Sequence, residues 1–297
     1  MKKNNKSKVA VIGGSGFLGK TTANELTRRG YNVVILDKIK SKNLLTKQTY
    51  KFLDVMNRPS IEKALKNVDY VYNFAGIADI QAAKDKPRNT IENNIIGNVE
   101  IIESCIKNRV KRVIFASTMY VYGDLGSFYR ASKQCSEILL KTYAENSKLN
   151  FTILRYGSLY GPDAQPWNGI TKYINEIIST GKINYHGSGS EMREYIHIED
   201  AARLSVDIID KNITEKAVNI TGNQVLKSID LLKMIFEIAG IKENIKFSKK
   251  TRTSDHYKMT PYKFQPDQAY KILPDRYIDL GQGIHDIITK INNDEGS

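Results

Sequence analysis

Thr118, Tyr129 and Lys133 fall within one short stretch, ASTMYVYGDLGSFYRASK, residues 116–133. A tyrosine and a lysine four positions apart share one face of a helix. A phenol and an ammonium held together in this way can act as an acid–base device beside a cofactor. They can equally be packing partners on an amphipathic helix. Of the 17 tyrosines in the chain, Tyr129 alone has a lysine at the fourth following position. Which reading applies depends on the elements built around the pair.

Those elements follow a regular rhythm. KVAVI (8–12) is a short apolar run ending in glycines and reads as a buried parallel strand. Helical spacing covers 17–29, and YNVVILD (31–37) and TYKFLDV (49–55) are the next strands. A helix opens near Pro59, where proline suits the first turn. VDYVYNFAG (68–76) is a fourth strand, a long helix spans 88–108, and VKRVIFAS (110–117) is a fifth strand. A helix over 128–146 carries Tyr129 and Lys133, and NFTILRYG (150–157) is a sixth strand. Repeated strand–helix–strand order predicts right-handed crossovers and a doubly wound α/β fold, its parallel sheet covered by helices on both faces.

After residue 160 the rhythm changes. GPDAQPWNG (161–169) holds two of the seven prolines and the only tryptophan, and reads as a loop. A helix (170–180), a short strand at INYHG (183–187) and a helix from Ile198 follow. AVNITG (217–222) returns to the parallel sheet, 228–239 is helical, and 251–276 is irregular and polar. The expected organisation is a nucleotide-binding domain over 1–160, to which 194–222 returns, and a smaller α/β substrate domain over 161–297. No internal repeat or low-complexity tract interrupts it.

Composition narrows the partners. A hydrophobic fraction of 41% and a charged fraction of 26% are those of an ordinary globular protein. The net charge of +13 favours anionic partners, but the lysines are spread along the chain without a basic block. Nucleic acid is therefore not expected as the partner. Cys105 and Cys135 sit in apolar helical patterns and read as free thiols in a reducing compartment, the cytoplasm. The opening residues read as a strand and turn rather than a leader, and no run has the length of a membrane span. No metal site is expected.

VIGGSGFLGK joins the first strand to the first helix and sets Gly13, Gly16 and Gly19 in G-x-x-G-x-x-G. The first glycine permits a tight turn, the second a close approach to a diphosphate, and the third close helix–strand packing. The helix N-terminus presents free N–H groups and partial positive charge to the phosphates. Between a strand and a helix this pattern is a strong sign of a Rossmann-type dinucleotide site. Asp37 ends the second strand, where a carboxylate accepts from ribose hydroxyls and repels a 2′-phosphate, so NAD is expected over NADP. Asp54, after the third strand, is placed to accept from an adenine amino group, or is an ordinary strand-end carboxylate.

With these residues in view, the chain resembles the extended short-chain dehydrogenase/reductases of the nucleotide-sugar epimerase/dehydratase family. The similarity runs through GGSGFLG, LD at 36–37, DV at 54–55, FAG at 74–76, NNIIGNVEIIE at 93–103, FASTMYVYG, YRASK, LRYGSLYGP, REYIHIEDAARL and RTSD at 252–255. It implies NAD held by Gly13, Gly16, Phe17, Leu18, Asp37, Asp54, Val55, Phe74, Ala75, Gly76, Asn94, Tyr129, Lys133 and Tyr156. It implies Thr118, Tyr129 and Lys133 as the catalytic set. A free tyrosine titrates near pH 10, and the Lys133 ammonium would stabilise its phenolate, so that Tyr129 serves as base and Thr118 hydrogen-bonds the reacting oxygen. Thr118, Ser158, Arg193 and Arg252 are the implied substrate contacts, with forked guanidinium bonding suited to a diphosphate. His197 and Asp200 read as structural. A homodimer through 88–108 and 128–146, and a place in polysaccharide biosynthesis, follow from the same resemblance.

Two departures bear on the reaction. Relatives carry a longer loop between the hydroxyl residue and the tyrosine, so the sugar pocket is expected to be more open here or to take a wall from elsewhere. Dehydratases of the family carry an Asp-Glu pair directly after the threonine, where this chain has Met119 and Tyr120. The expected chemistry is thus NAD-dependent oxidation at C4 of a nucleotide-linked sugar, ending in 4-epimerisation or a 4-keto sugar. A catalytically idle NAD-binding regulator and a dehydrogenase or reductase of a non-nucleotide carbonyl remain open on the sequence.

Overall fold

The first strand, β1 (Lys8–Ile12), divides its residues by parity: Val9 and Val11 enter one apolar cluster, Ala10 and Ile12 another. Alternation across a strand requires this when helices cover both faces of a sheet. The structure is a computed structural model and describes residues 7–41, 44–248, 259, 270–272 and 276–295. From β1 the chain runs through α1 (Phe17–Arg28), β2 (Asn32–Asp37), β3 (Gln48–Phe52), α2 (Arg58–Ala64), β4 (Tyr70–Asn73), α3 (Ile80–Asp85) and α4 (Pro87–Ile91). A π-helical turn (Glu92–Ile96), α5 (Gly97–Lys107), β5 (Arg112–Thr118), a 3-10 turn (Met119–Tyr122), α6 (Ser127–Glu145) and β6 (Asn150–Tyr156) follow. Next come β7 (Ser158–Tyr160), α7 (Gly169–Thr180), β8 (Ile183–His186), β9 (Met192–His197), α8 (Ile198–Asp210) and β10 (Lys216–Ile220). The described chain closes with β11 (Val225–Lys227), α9 (Ser228–Ile238), β12 (Ile245–Ser248), β13 (Tyr270–Lys271) and α10 (Leu280–Glu295).

Eight strands make one parallel sheet in the order β13-β10-β6-β5-β4-β1-β2-β3. Ile61 of α2, Ile101 and Ile102 of α5 and Leu140 of α6 seal one face. Ala23 and Leu26 of α1, with Ala201 and Leu204 of α8, seal the other. The order reverses between β1 and β4, which opens a crevice at the carboxyl ends of the strands. A third cluster lies apart from the sheet and draws on Ile174 of α7, Leu231 and Phe236 of α9 and Ile284 of α10. Smaller sheets, β11-β9-β7 and β12-β8, accompany it. These separate cores support the division we propose: a nucleotide-binding unit to about residue 160, rejoined by α8 and β10, and a substrate unit built from most of the remainder. Among the described residues no helix is long and apolar enough to cross a membrane.

Two local differences from the expected pattern have identifiable causes. The helix expected over 88–108 is not regular, because the π-helical turn lies within it. There the Ser136 hydroxyl of α6 donates to the Asn94 carbonyl at 2.8 Å, a contact from another helix that local periodicity does not encode. The short helix α3 was not expected. Asp79 caps it by accepting from the backbone N–H groups of Gln81 and Ala82.

Candidate active site

The carboxyl ends of β1, β2, β4, β5 and β6 converge on a cavity of about 810 Å³. That volume suits a small-molecule or cofactor site. One wall is the glycine turn. Gly13 has φ +74, and a Cβ there would stand 2.7 Å from the Ala75 nitrogen. A Cβ on Gly19 would come within 2.1 Å of the Gly13 carbonyl oxygen. Both positions are therefore bare for reasons internal to the fold. Gly16 differs: the nearest atom to its Cβ would be 3.4 Å away, so the fold itself leaves that space open. Gly16 is also the N-cap of α1 and brings no side-chain cap to the helix. Open space and uncapped N–H groups together fit a diphosphate.

Asp37, at the end of β2, accepts from the backbone N–H of Ser15 and of Ile39, each at 3.0 Å. These bonds fix its carboxylate at the far end of the cavity. Phe74, Ala75 and Gly76 leave the end of β4 along the cavity wall. Asn94 stands beneath this segment with its amide fully used. Its Oδ1 accepts from the Ile77 N–H at 2.7 Å, and its Nδ2 donates to the Ile77 carbonyl and the Ser132 hydroxyl.

Thr118 is the last residue of β5, and its Oγ1 accepts from the Tyr120 N–H at 3.3 Å. Its own proton is left for another acceptor. Tyr129 and Lys133 share one face of α6 toward the cavity. The Tyr129 ring meets the Tyr120 ring edge-on at 6.2 Å. Lys133 is 6% exposed, and its Nζ donates to the Ala116 carbonyl at 2.8 Å. Burial pulls its pKa down to about 8, against the opposing pull of the Glu137 carboxylate. The connecting loop is compact: Arg130 donates to the Gly123 carbonyl at 2.9 Å, and a Cβ on Gly126, at φ +103, would stand 2.7 Å from the Tyr120 ring.

Behind the cavity wall lies a buried ion pair. Glu137, one turn beyond Lys133, accepts from Arg155 Nε at 3.0 Å and Nη2 at 2.5 Å. It also accepts from the Ser117 hydroxyl at 2.5 Å. Arg155 Nη1 donates to the Tyr122 hydroxyl at 2.7 Å, and that hydroxyl donates to Asn219 at 2.9 Å. The chain of bonds ties α6 to β5, β6, β10 and the 3-10 turn, and so fixes the helix that carries Tyr129 and Lys133.

The cavity brings together Gly13, Gly16, Phe17, Leu18, Asp37, Val55, Phe74, Ala75, Gly76, Thr118, Tyr129, Lys133 and Tyr156. Other expected residues stand outside its lining. Asn94 holds the wall segment from below. Asp54 pairs with Lys38 at 3.1 Å and accepts from the Met56 N–H, which lowers its pKa. Ser158 lies on β7 between the lining residues Gly157 and Leu159, and Arg193 is half-buried on β9. Arg252 lies outside the described residues. His197 caps α8, and Asp200 accepts from the Ile278 N–H at 2.8 Å, both structural placements. Sequence reasoning missed Asp79, Gln81, Asn93, Tyr120, Gln165, Trp167 and Lys172 along the rim. The position of Trp167 in a proline-flanked loop was the one local signal available.

Comparison with known proteins agrees with this geometry. A sequence model described as "NAD dependent epimerase/dehydratase family" matches residues 9–221. The UDP-N-acetyl-alpha-D-glucosaminuronate decarboxylase of Bacillus cytotoxicus is 29% identical over 250 residues, 75% of this chain and 77% of the relative. The dTDP-D-glucose 4,6-dehydratase of Dictyostelium discoideum is 27% identical over 78% of this chain and 62% of its own length. This chain thus spans less than two thirds of the latter. The fold matches the crystal structure of UDP-glucuronic acid 4-epimerase from Bacillus cereus in complex with UDP-glucuronic acid and NAD. The TM-score is 0.84 at 23% identity, covering 96% of this chain and 99% of that one.

Proposed function

The chain belongs to the NAD dependent epimerase/dehydratase family, and from that premise we propose that it oxidises C4 of a nucleotide-linked sugar with NAD and re-reduces the ketone from its other face, a net 4-epimerisation. The observation that carries this reading is the convergence of Thr118, Tyr129 and Lys133 on a cavity whose opposite wall is an uncapped glycine turn. In the proposed complex the diphosphate of NAD lies at the α1 N-terminus, and Asp37 accepts from the adenosine ribose. Nicotinamide supplies the hydride chemistry. Tyr129 takes the proton of the C4 hydroxyl and later returns it. Lys133 holds the phenolate by its charge, and Thr118 orients the reacting oxygen. Arg193 and Ser158 are proposed contacts for the diphosphate of the substrate.

Elimination of water is not part of the proposal. Met119 is buried and Tyr120 carries no carboxyl group. Among the described residues, the carboxylates lining the cavity are Asp37, at the cofactor end, and Asp79, engaged in capping α3. Incubation with UDP- and dTDP-sugars in heavy water tests the reaction. The expected outcome is a new C4 epimer without net NADH and without deuterium at C5. Deuterium at C5 would replace this reading with a dehydratase, and a 4-keto product with stoichiometric NADH would replace it with a dehydrogenase.

Asp37→Ala is expected to weaken NAD binding by roughly 10- to 100-fold, the value of hydrogen bonds to a charged group. Discrimination against NADP should shrink at the same time, because the repelling charge is gone. Titration with both cofactors checks this, and a wild-type preference for NADP would reject the role of Asp37.

A homodimer through α4, α5 and α6 is proposed as well. Ile91 of α4, Ile96 of the π-helical turn and Ile138 of α6 stand exposed, Ile138 at 64%, and apolar side chains of this size favour a partner surface. Light scattering should give a dimer for the wild type and a monomer for Ile138→Glu. A wild-type monomer at high concentration would exclude the interface. Cys105 and Cys135 are both free thiols, which suits the cytoplasmic location we propose.

A further inference from the structure

We propose that Trp167 is the platform on which the sugar ring of the substrate stacks, and that it thereby selects which sugars are accepted; this rests on the nucleotide-sugar reading above. Trp167 is the only tryptophan of the chain. It lines the same cavity as Thr118 and Tyr129 and is 47% exposed. Among the described residues its indole has no hydrogen-bond, ring or cation partner. Covering a large aromatic face that stands half in water beside a cavity is favourable for a ligand that binds there.

The backbone beneath it is held. Asn168 Nδ2 donates to the Leu159 carbonyl at 2.8 Å, and its Oδ1 accepts from the Thr171 N–H at the start of α7. Earlier in the loop, Asp163 pairs with Lys20 of α1 at 3.5 Å and with Lys290 of α10. The indole is thus mounted on a fixed loop without being packed into it.

Other residues lining the same cavity indicate what a ligand there would meet. Gln165 contributes an amide side chain with no partner among the described residues, and Tyr120 a second ring. Amides offer donors and acceptors to hydroxyl groups, while an aromatic face covers the apolar C–H side of a pyranose ring. Together they match a hydroxyl-rich ring better than a phosphate. Trp167 and Tyr120 of the 3-10 turn after Thr118 line the same cavity.

Tryptophan emission reports this site alone, so the test uses the NAD-loaded protein titrated with UDP-glucose, dTDP-glucose, UDP and dTDP, with binding followed in parallel by calorimetry. We expect a saturable emission change with at least one nucleotide sugar and none with the matching free diphosphate. Trp167→Ala should lose about tenfold in affinity for that sugar nucleotide while its affinity for the free diphosphate and for NAD is unchanged. Trp167→Phe should recover most of the loss. The same emission change with the diphosphate alone would assign the indole to the base and overturn the proposal. Wild-type affinity of Trp167→Ala for the sugar nucleotide would also overturn it. Calorimetry showing no binding of any of the four probes to the wild type would instead remove the nucleotide-sugar reading, and the proposal with it.

Discussion

Tyr129→Phe is expected to lower turnover of a nucleotide sugar by about 10²- to 10⁴-fold, the usual contribution of a positioned acid–base group, while NAD binding stays at the wild-type level. The substitution removes one hydroxyl and keeps the ring, so the edge-on contact with Tyr120 survives. The Lys133 bond to the Ala116 carbonyl and the α1 N-terminus are equally untouched. Among the described residues, the two carboxylates that line the cavity are both engaged elsewhere. Asp37 is held by Ser15 and Ile39 at the cofactor end, and Asp79 caps α3. Single-turnover measurement of NADH formation, with NAD affinity determined separately, distinguishes loss of chemistry from loss of cofactor. Near-normal turnover in this variant would remove Tyr129 from the reaction.

Glu137→Gln should destabilise the protein by about 3–5 kcal/mol, the cost of leaving one member of a buried ion pair without its partner. Arg155 would keep its charge in a site where the paired side chains are each only 7% exposed. The substituted amide would turn donors toward guanidinium donors, and the Ser117 hydroxyl would lose its charged acceptor. Arg155→Met should be similarly damaging, whereas Glu137→Gln with Arg155→Met should recover most of the stability because no charge is stranded. Urea unfolding of the three variants reads the coupling. Strict additivity of the single effects would mean that the pair does not act as a unit. The network also anchors α6 one turn beyond Lys133, so loosening it should lower turnover before the fold is lost.

How much of the site was legible in the sequence follows from the range of the interactions concerned. Gly19 sits in a turn whose tightness is set within a few residues, because its Cβ would meet the Gly13 carbonyl oxygen. Tyr129 and Lys133 are neighbours through one helical turn. The strands were legible as short apolar runs between helical segments, and these features together indicated the parallel sheet, the glycine turn and the tyrosine–lysine pair. Asn94 is a cofactor contact only by the family resemblance, not by any local pattern. Its actual placement depends on a hydroxyl from α6 that opens the π-helical turn and on a wall segment 17 residues earlier in the chain. Asp54 reads as an adenine acceptor or an ordinary strand-end carboxylate, and Lys38 from the end of the neighbouring strand pairs with it in the structure. Glu137 and Arg155 are 18 residues apart and meet only because α6 packs across β5 and β6. The spacing of side chains within an element was thus determined by the sequence by itself. That Gln165 and Trp167 reach the cavity that Thr118 and Tyr129 line was decided only by tertiary packing, because the segments lie at separations along the chain that carry no periodic signal.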